Sequence, residues 1–213
     1  MSWFSRRIHA ARMHSDDASG FSLIEVIVAL ALILFVMTSS VVFFVRSMQT
    51  SSTQQVREAA ISLADQGMEQ ARSVPSAGLL SGRDKGRSDT QWAALPAAAA
   101  AAKAVSKEVW DSTATGSSTP VVPFTTSDIT TLVNKTQYTV NTAIGQCWIS
   151  TTTSVVCNVP SPVPSTATPL YRVIVDVHWT AKIGEYCPAA GCDYVVTTLR
   201  DPSVDPLFNS NGG

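Results

Sequence analysis

Apolar positions fall in one unbroken block near the start of the chain and are rationed at regular intervals afterwards. From Val26 to Val45 run twenty residues, VIVALALILFVMTSSVVFFV, without a charge, a glycine or a proline. At about 1.5 Å of rise per residue they predict a helix of roughly 30 Å, the thickness of a bilayer's hydrocarbon core. Helix is the one form in which a lone span satisfies its own backbone in lipid. A cleaved secretory signal has a shorter apolar region, about 7–15 residues, ending in a small-x-small site. Here the block runs on into Arg46, Ser47 and Met48.

Beyond Arg46 the pattern turns amphipathic. Val56, Ala60, Leu63, Gly67, Ala71 and Val74 recur at spacings of 4, 3, 4, 4 and 3, a helical stripe. Arg57, Glu58, Asp65, Glu69 and Arg72 lie mostly off it, and Glu69 and Arg72 stand three apart, a helical ion-pair spacing. Pro75 is the first strong breaker, so one helix of roughly 80 Å is predicted from Phe21 to Val74, its outer half burying the stripe.

The rest alternates in the strand period or breaks it. Gln137–Ile144, Leu170–Thr180 and Tyr194–Leu199 predict antiparallel strands, with Val173, Val175, Val177 and Trp179 on one face and Arg172, Ile174, Asp176 and His178 on the other. Residues 75–91, with Gly78, Gly82, Gly86 and the run Arg83-Asp84-Lys85-Gly86-Arg87, predict a solvated loop; a phosphate or DNA contact is disfavoured by the mixed charge and the lack of P-loop spacing. Ala97–Ala102 after Pro96 predict a short helix, and 111–131 an exposed Ser/Thr/Pro-rich loop. Asn134-Lys135-Thr136 matches a glycosylation sequon, a pattern common by chance, and 201–213 should be a mobile or edge-lying tail. The fold class expected is α+β: a long N-terminal helix, half membrane-spanning and half amphipathic, packed on a small antiparallel sheet.

Charge orients the span. Arg6, Arg7 and Arg12 precede it, whereas beyond it Arg46 is the sole basic residue before Arg57, which favours a cytoplasmic N-terminus and an outer face for everything after Val45. One acid breaks the pattern. In Gly20-Phe21-Ser22-Leu23-Ile24-Glu25-Val26 a carboxylate enters the start of the apolar helix, the only charge in the twenty-five residues from Phe21 to Val45. Unpaired at that depth it costs ~2–3 kcal/mol, so a function is expected of it. A helix starting at Phe21 would offset part of the cost through its dipole. A free amine on Phe21, exposed by scission after Gly20, would supply a cation. The plain reading is a carboxylate snorkelling to the interface.

A basic leader ending in glycine, then phenylalanine, apolar residues, glutamate fifth after the cut and a long apolar helix resembles the N-terminus of type IV pilins and pseudopilins, and GFSLIEV carries the resemblance. The resemblance implies a leader of residues 1–20, scission between Gly20 and Phe21 by a membrane prepilin peptidase, N-methylation of Phe21, and pairing of Glu25 with a neighbouring subunit's terminal amine during assembly. It implies a helix over 21–74, its first part (21–45) in the membrane, and an extracytoplasmic globular domain over 75–213 with a pilin-like fold. The implied partners are the peptidase, other pilin subunits, the pilus assembly machinery and, before assembly, membrane lipid. The implied location is the inner membrane, then an extracellular or periplasmic filament. The leader is longer than the shortest in the family and includes Asp16 and Asp17; the span lacks the glycine or proline frequent in major pilins, which favours a minor pilin or pseudopilin.

Composition narrows the alternatives. With 213 residues, 15% charged and a formal net charge of −1, the chain offers no electrostatic footprint for nucleic acid. A freely soluble cytosolic domain carries about 25% charged residues. Cys147, Cys157, Cys187 and Cys192 all fall in the part expected outside the membrane; of the three pairings open to them, Cys147–Cys157 and Cys187–Cys192 are favoured because each brackets a local loop. No C-x-x-C spacing supports zinc, and Cys187-Pro-Ala-Ala-Gly-Cys192 is not a thioredoxin-like motif. His9 and His14 lie in the leader, leaving His178, beside Trp179, for a mature chain, too few for a histidine triad or a multi-histidine metal centre. No spacing singles out a carboxylate pair among Asp176, Glu185, Asp193, Asp201 and Asp205, nor a calcium site among the last three. The function expected is therefore a non-enzymatic, cofactor-free and metal-free filament subunit, a minor pilin or pseudopilin. The rivals are a single-pass membrane-anchored binding or adhesion protein that never polymerises, and a tethered hydrolase using carboxylates.

Overall fold

The computed structural model describes residues 21–125, 136–150, 154–180, 187 and 191–203. They divide into two units, one ending at Met48 and one beginning at Gln49. The helix α1 (Leu23–Ser73) supplies the described helical residues of the first unit and the opening element of the second.

In the first unit every residue from Phe21 to Met48 is exposed. An exposed, strongly apolar helix suits a lipid environment, and this one is long and apolar enough to cross a membrane. Its hydroxyls are satisfied locally: Thr38 Oγ1 donates to the carbonyls of Leu34 and Phe35 (3.0 and 2.9 Å), Ser39 to Phe35 (2.9 Å) and Ser40 to Val36 (2.8 Å). Such back-bonding lets these residues sit mid-helix without an orphaned polar group.

In the second unit the expected stripe is the buried one. Val56, Ala60, Leu63, Ala64, Gly67, Met68 and Ala71 of α1 are buried, and Val74, just past its end, packs against the same core. The helix is followed by a 3₁₀ turn, α2 (Lys85–Ala94), a second 3₁₀ turn and α3 (Ala100–Ala104). The strands are β1 (Lys107–Glu108), β2 (Tyr138–Ser150), β3 (Ser154–Asn158), β4 (Thr168–Trp179) and β5 (Cys192–Arg200). All pair antiparallel in the order β1-β2-β4-β5, with β3 sharing the β1 edge of β2. The α+β arrangement expected from the sequence is the one found.

The inner sheet face, built from Tyr138, Val140, Ile144, Val173, Val175, Val177 and Trp179, closes on α1. Gly67 lets helix and sheet approach closely, since a Cβ there would lie 3.0 Å from Val175 Cγ1 and 3.3 Å from Val140 Cγ1. Tyr138, wholly buried, spends its hydroxyl on the Val56 carbonyl at 3.0 Å.

The outer face is covered as well. Ile174 and Ala143 are buried under Ala99, with Trp92, Leu95 and Ala102 around them. Residues 75–91 are therefore not the solvated loop expected: they contain most of α2, and Arg83 is buried to 1% exposure. The reason is a cap. Asp84 takes an extended conformation and its side chain accepts from the Arg87 N–H at 3.1 Å, starting a helix in a sequence whose charges otherwise mask it. Gly82, at φ +77°, makes the turn into it. The segment over 111–125 does run without strand or helix, although Val122 is buried and Thr125 bridges Asn141.

Candidate functional sites

Gly20 and the leader lie outside the described residues. Phe21 stands 82% exposed just ahead of α1. Glu25 lies in the first turn of α1, where its backbone N–H donates to the Ser22 carbonyl at 2.9 Å, followed by that of Val26 at 3.2 Å. With Ile24, Val28, Ala29 and Leu32 it lines a shallow groove along one face of the helix, four apolar residues around one acid. The helix dipole favours an anion there, whereas a hydrocarbon surrounding would oppose one.

The structure joins Cys147 to Cys157 and Cys187 to Cys192, with Cα separations of 5.3 and 5.1 Å. The first ties β2 to β3 and the second ties Cys187 to the start of β5. Among the described residues there is no free cysteine, and no cluster of three His, Cys, Asp or Glu side chains able to hold a metal. His178 Nδ1 contacts Asp193 Oδ1 at 2.7 Å across the β4–β5 pair, and Asp201 accepts from the Ser203 N–H at 2.8 Å. Glu185 and Asp205 lie outside the described residues, as do Asn134 and Lys135 of the sequon, whose Thr136 is buried.

Two features of the outer face have no forewarning in the sequence. Arg83 is buried with no carboxylate partner among the described residues. It donates to the carbonyls of Val122 and Thr142, both at 2.8 Å, and to Gln91 Oε1 at 2.6 Å, with its guanidinium carbon 4.0 Å from the centre of the Phe124 ring. Burial lowers its pKa to about 10, and nearby Arg87 adds to the effect. Beside it opens a pocket of about 320 Å³ lined by α2, Phe124, Thr125, Asn141 and Asp176. Burial raises the Asp176 carboxyl to about 6, against the opposing hydrogen bond from Asn141. The Asp84 cap and the Lys85–Asp89 spacing were signals for α2; an alternating strand carries none for the burial of one acid.

The residues around Glu25 fall within a known sequence motif. Residues 16–41 match the family model described as the prokaryotic N-terminal methylation motif. The chain therefore carries a type IV prepilin-like signal, which supports a pilin-like protein processed by prepilin peptidase. Neither the curated proteins nor the solved structures contain a match to this chain.

Proposed function

We propose that the protein is a minor pilin or pseudopilin, a non-enzymatic subunit of a type IV pilus or related secretion filament. In this reading residues 1–20 are a cytoplasmic leader, cut between Gly20 and Phe21, and Phe21 becomes the methylated N-terminus. Residues 21–45 hold the subunit in the inner membrane with its N-terminus inside, and the unit with the sheet and both disulfides faces outward. Its partners are the peptidase, other pilins and the assembly machinery.

The observation that carries the reading is Glu25, an acid in the first turn of an exposed apolar helix and inside the matched motif. Scission would put a positive chain end four residues ahead of it. In a bundle of such helices the amine of one chain and the acid of the next attract strongly because the dielectric is low. Desolvation takes back much of that gain, which leaves the pair chiefly a device of register. The span's lack of glycine and proline favours the minor class.

Intact-mass measurement on protein from cells that possess the peptidase should show loss of residues 1–20 and one methyl group on Phe21. Glu25→Ala should insert into the membrane and fail to enter filaments. A chain still beginning at Met1, or normal incorporation of Glu25→Ala, would return the protein to the class of anchored binding domains that do not polymerise.

A further inference from the structure

The outer-face pocket holds one polar atom without a partner. Asp176 is 3% exposed; its Oδ2 accepts from Asn141 Nδ2 at 3.2 Å, and its Oδ1 has no hydrogen-bond partner among the described residues. Every other polar side chain around the pocket is already committed. Thr125 Oγ1 bonds Asn141 Oδ1 at 3.0 Å, which fixes the amide so that its nitrogen turns to Asp176. Gln91 accepts from Arg83 and donates to the Phe124 carbonyl. Thr90 donates to the Gly86 carbonyl at 2.8 Å. Arg87 is held by Asp84 and by the Ser118 carbonyl. The pocket thus has a saturated polar wall, an apolar side from Ala94, Leu95 and Phe124, and one unsatisfied acid.

A buried acceptor without a donor costs ordinarily more than a hydrogen bond gains, so such an atom marks a place where a donor belongs. The acid selects the charge of that donor and the apolar side selects its stem. We propose that this pocket binds an alkylammonium group, its N–H donors directed to the Asp176 carboxylate and its hydrocarbon stem along Leu95 and Phe124. At about 320 Å³ the space lies at the small end of ligand pockets and suits one short amine or one lysyl side chain. The proposal is independent of filament assembly, because nothing in the pocket comes from the N-terminal segment.

Besides burial, Asp193 of β5 and His178, on β4 with Asp176, act on the Asp176 carboxyl, the first disfavouring its charge and the second favouring it, while Arg87 of α2 lines the same pocket. Binding should therefore strengthen as pH rises through the range in which Asp176 ionises.

The test uses the full chain in detergent micelles, with nitrogen-resolved NMR of the Asn141 and Gln91 side-chain amides. Adding n-butylamine at pH 7.5 should shift both saturably. The apparent affinity should fall at least tenfold at pH 5 and in Asp176→Asn, a near-isosteric change that removes the unpaired charge. n-Butanol, which has the stem without the cation, should produce no saturable shift. Thr90→Trp, at an exposed position on the pocket wall, should block binding without touching the acid. Shifts from N-acetyl-lysine amide as strong as those from n-butylamine would assign the site to lysyl side chains, and shifts from n-butylamine alone would assign it to free amines; either supports the proposal. Equal shifts from n-butanol, undiminished shifts in Asp176→Asn, or no saturable shift from either amine would overturn it.

Discussion

Arg200, the last residue of β5, donates through Nη1 to the carbonyl of Ala71 in the final turn of α1 at 2.8 Å. The same nitrogen reaches the carbonyls of Arg72 and Val74 at 3.1 and 2.9 Å. The last carbonyls of a helix have no partner within it, and a cation is the group that its negative end prefers. One side chain from the far end of the sequence thus closes the longest element of the fold and ties the edge strand to it.

Truncating that side chain should therefore cost more than an exposed arginine normally does. Arg200→Met keeps the stem and removes the fork, and should lower unfolding free energy by about 1–2 kcal/mol. Arg200→Lys should recover only part, because a lone ammonium on a different stem has no second nitrogen to reach Ser76 Oγ as Arg200 Nη2 does at 3.4 Å. Thermal unfolding of the full chain in detergent measures both. An unchanged midpoint in Arg200→Met would mean that water caps the helix equally well.

What the sequence made legible follows from what each element needed. The amphipathic half of α1 and the inner face of β4 announced themselves because burial of one face imposes a period: Val56, Ala60, Leu63, Gly67 and Ala71 of the predicted stripe are buried, joined by Ala64 and Met68, and Val173, Val175, Val177 and Trp179 enter the core as predicted. Glu25 was legible because an acid in a hydrocarbon span is costly wherever the rest of the molecule lies. Asp176 was not, because its position in an alternating strand looks like any outward residue; its burial depends on α2 and on Phe124 and Thr125 arriving from elsewhere. Arg83 was hidden for the same reason, since the Val122 and Thr142 carbonyls and the Gln91 amide that take up its Nη1 and Nη2 donors are collected only by the fold. Strands β1 and β3 are short pieces added to an edge already set by β2, and two residues carry no period.

The two disulfides should differ in worth. Each removes freedom from the unfolded chain in proportion to the logarithm of the loop it closes. Cys147 and Cys157 are 10 apart and Cys187 and Cys192 are 5 apart, which gives about 3 and about 2 kcal/mol respectively. Paired Cys→Ser replacements followed by urea unfolding test the order. A larger loss for the Cys187 and Cys192 pair would show that native contacts at the start of β5, and not chain entropy, set the ranking.

Arg83 is the more fragile arginine. Its guanidinium holds the Val122 and Thr142 carbonyls and the Gln91 amide at once, so Arg83→Met would strand two buried carbonyls and a half-buried amide oxygen while keeping most of the volume. Loss of about 3 kcal/mol or more is expected. Hydrogen exchange should locate the damage: the Thr142 amide, bonded to the Phe124 carbonyl at 2.9 Å, should lose protection before the α1 amides around Leu63. Uniform loss across both would make Arg83 a global determinant of the fold and not a clamp on one segment.

Asp176 should set a slope in the pH dependence of stability. Its folded pKa, about 6, lies above that of an unfolded aspartate, about 4, so between those values the folded chain holds a proton that the unfolded chain has released. Stability attached to this group is thus complete below about pH 4 and is lost as pH rises through about 6. At neutral pH the penalty approaches ~3 kcal/mol, with burial as its main cause. The Glu108 carboxyl, raised to about 7 by burial and by its hydrogen bond with Asp89, slopes the same way over a neighbouring range. In the opposite sense, Asp84 and Asp111 are held below the usual carboxylate range, Asp84 chiefly by Arg87 and Asp111 by Thr113, and both weaken the fold in stronger acid. Asp176→Asn should therefore raise the unfolding temperature at pH 7 and leave it nearly unchanged at pH 4, flattening the slope between. If the variant and the parent run parallel from pH 4 to 7, the Asp176 carboxyl is ionised throughout and its charge is already compensated within the fold.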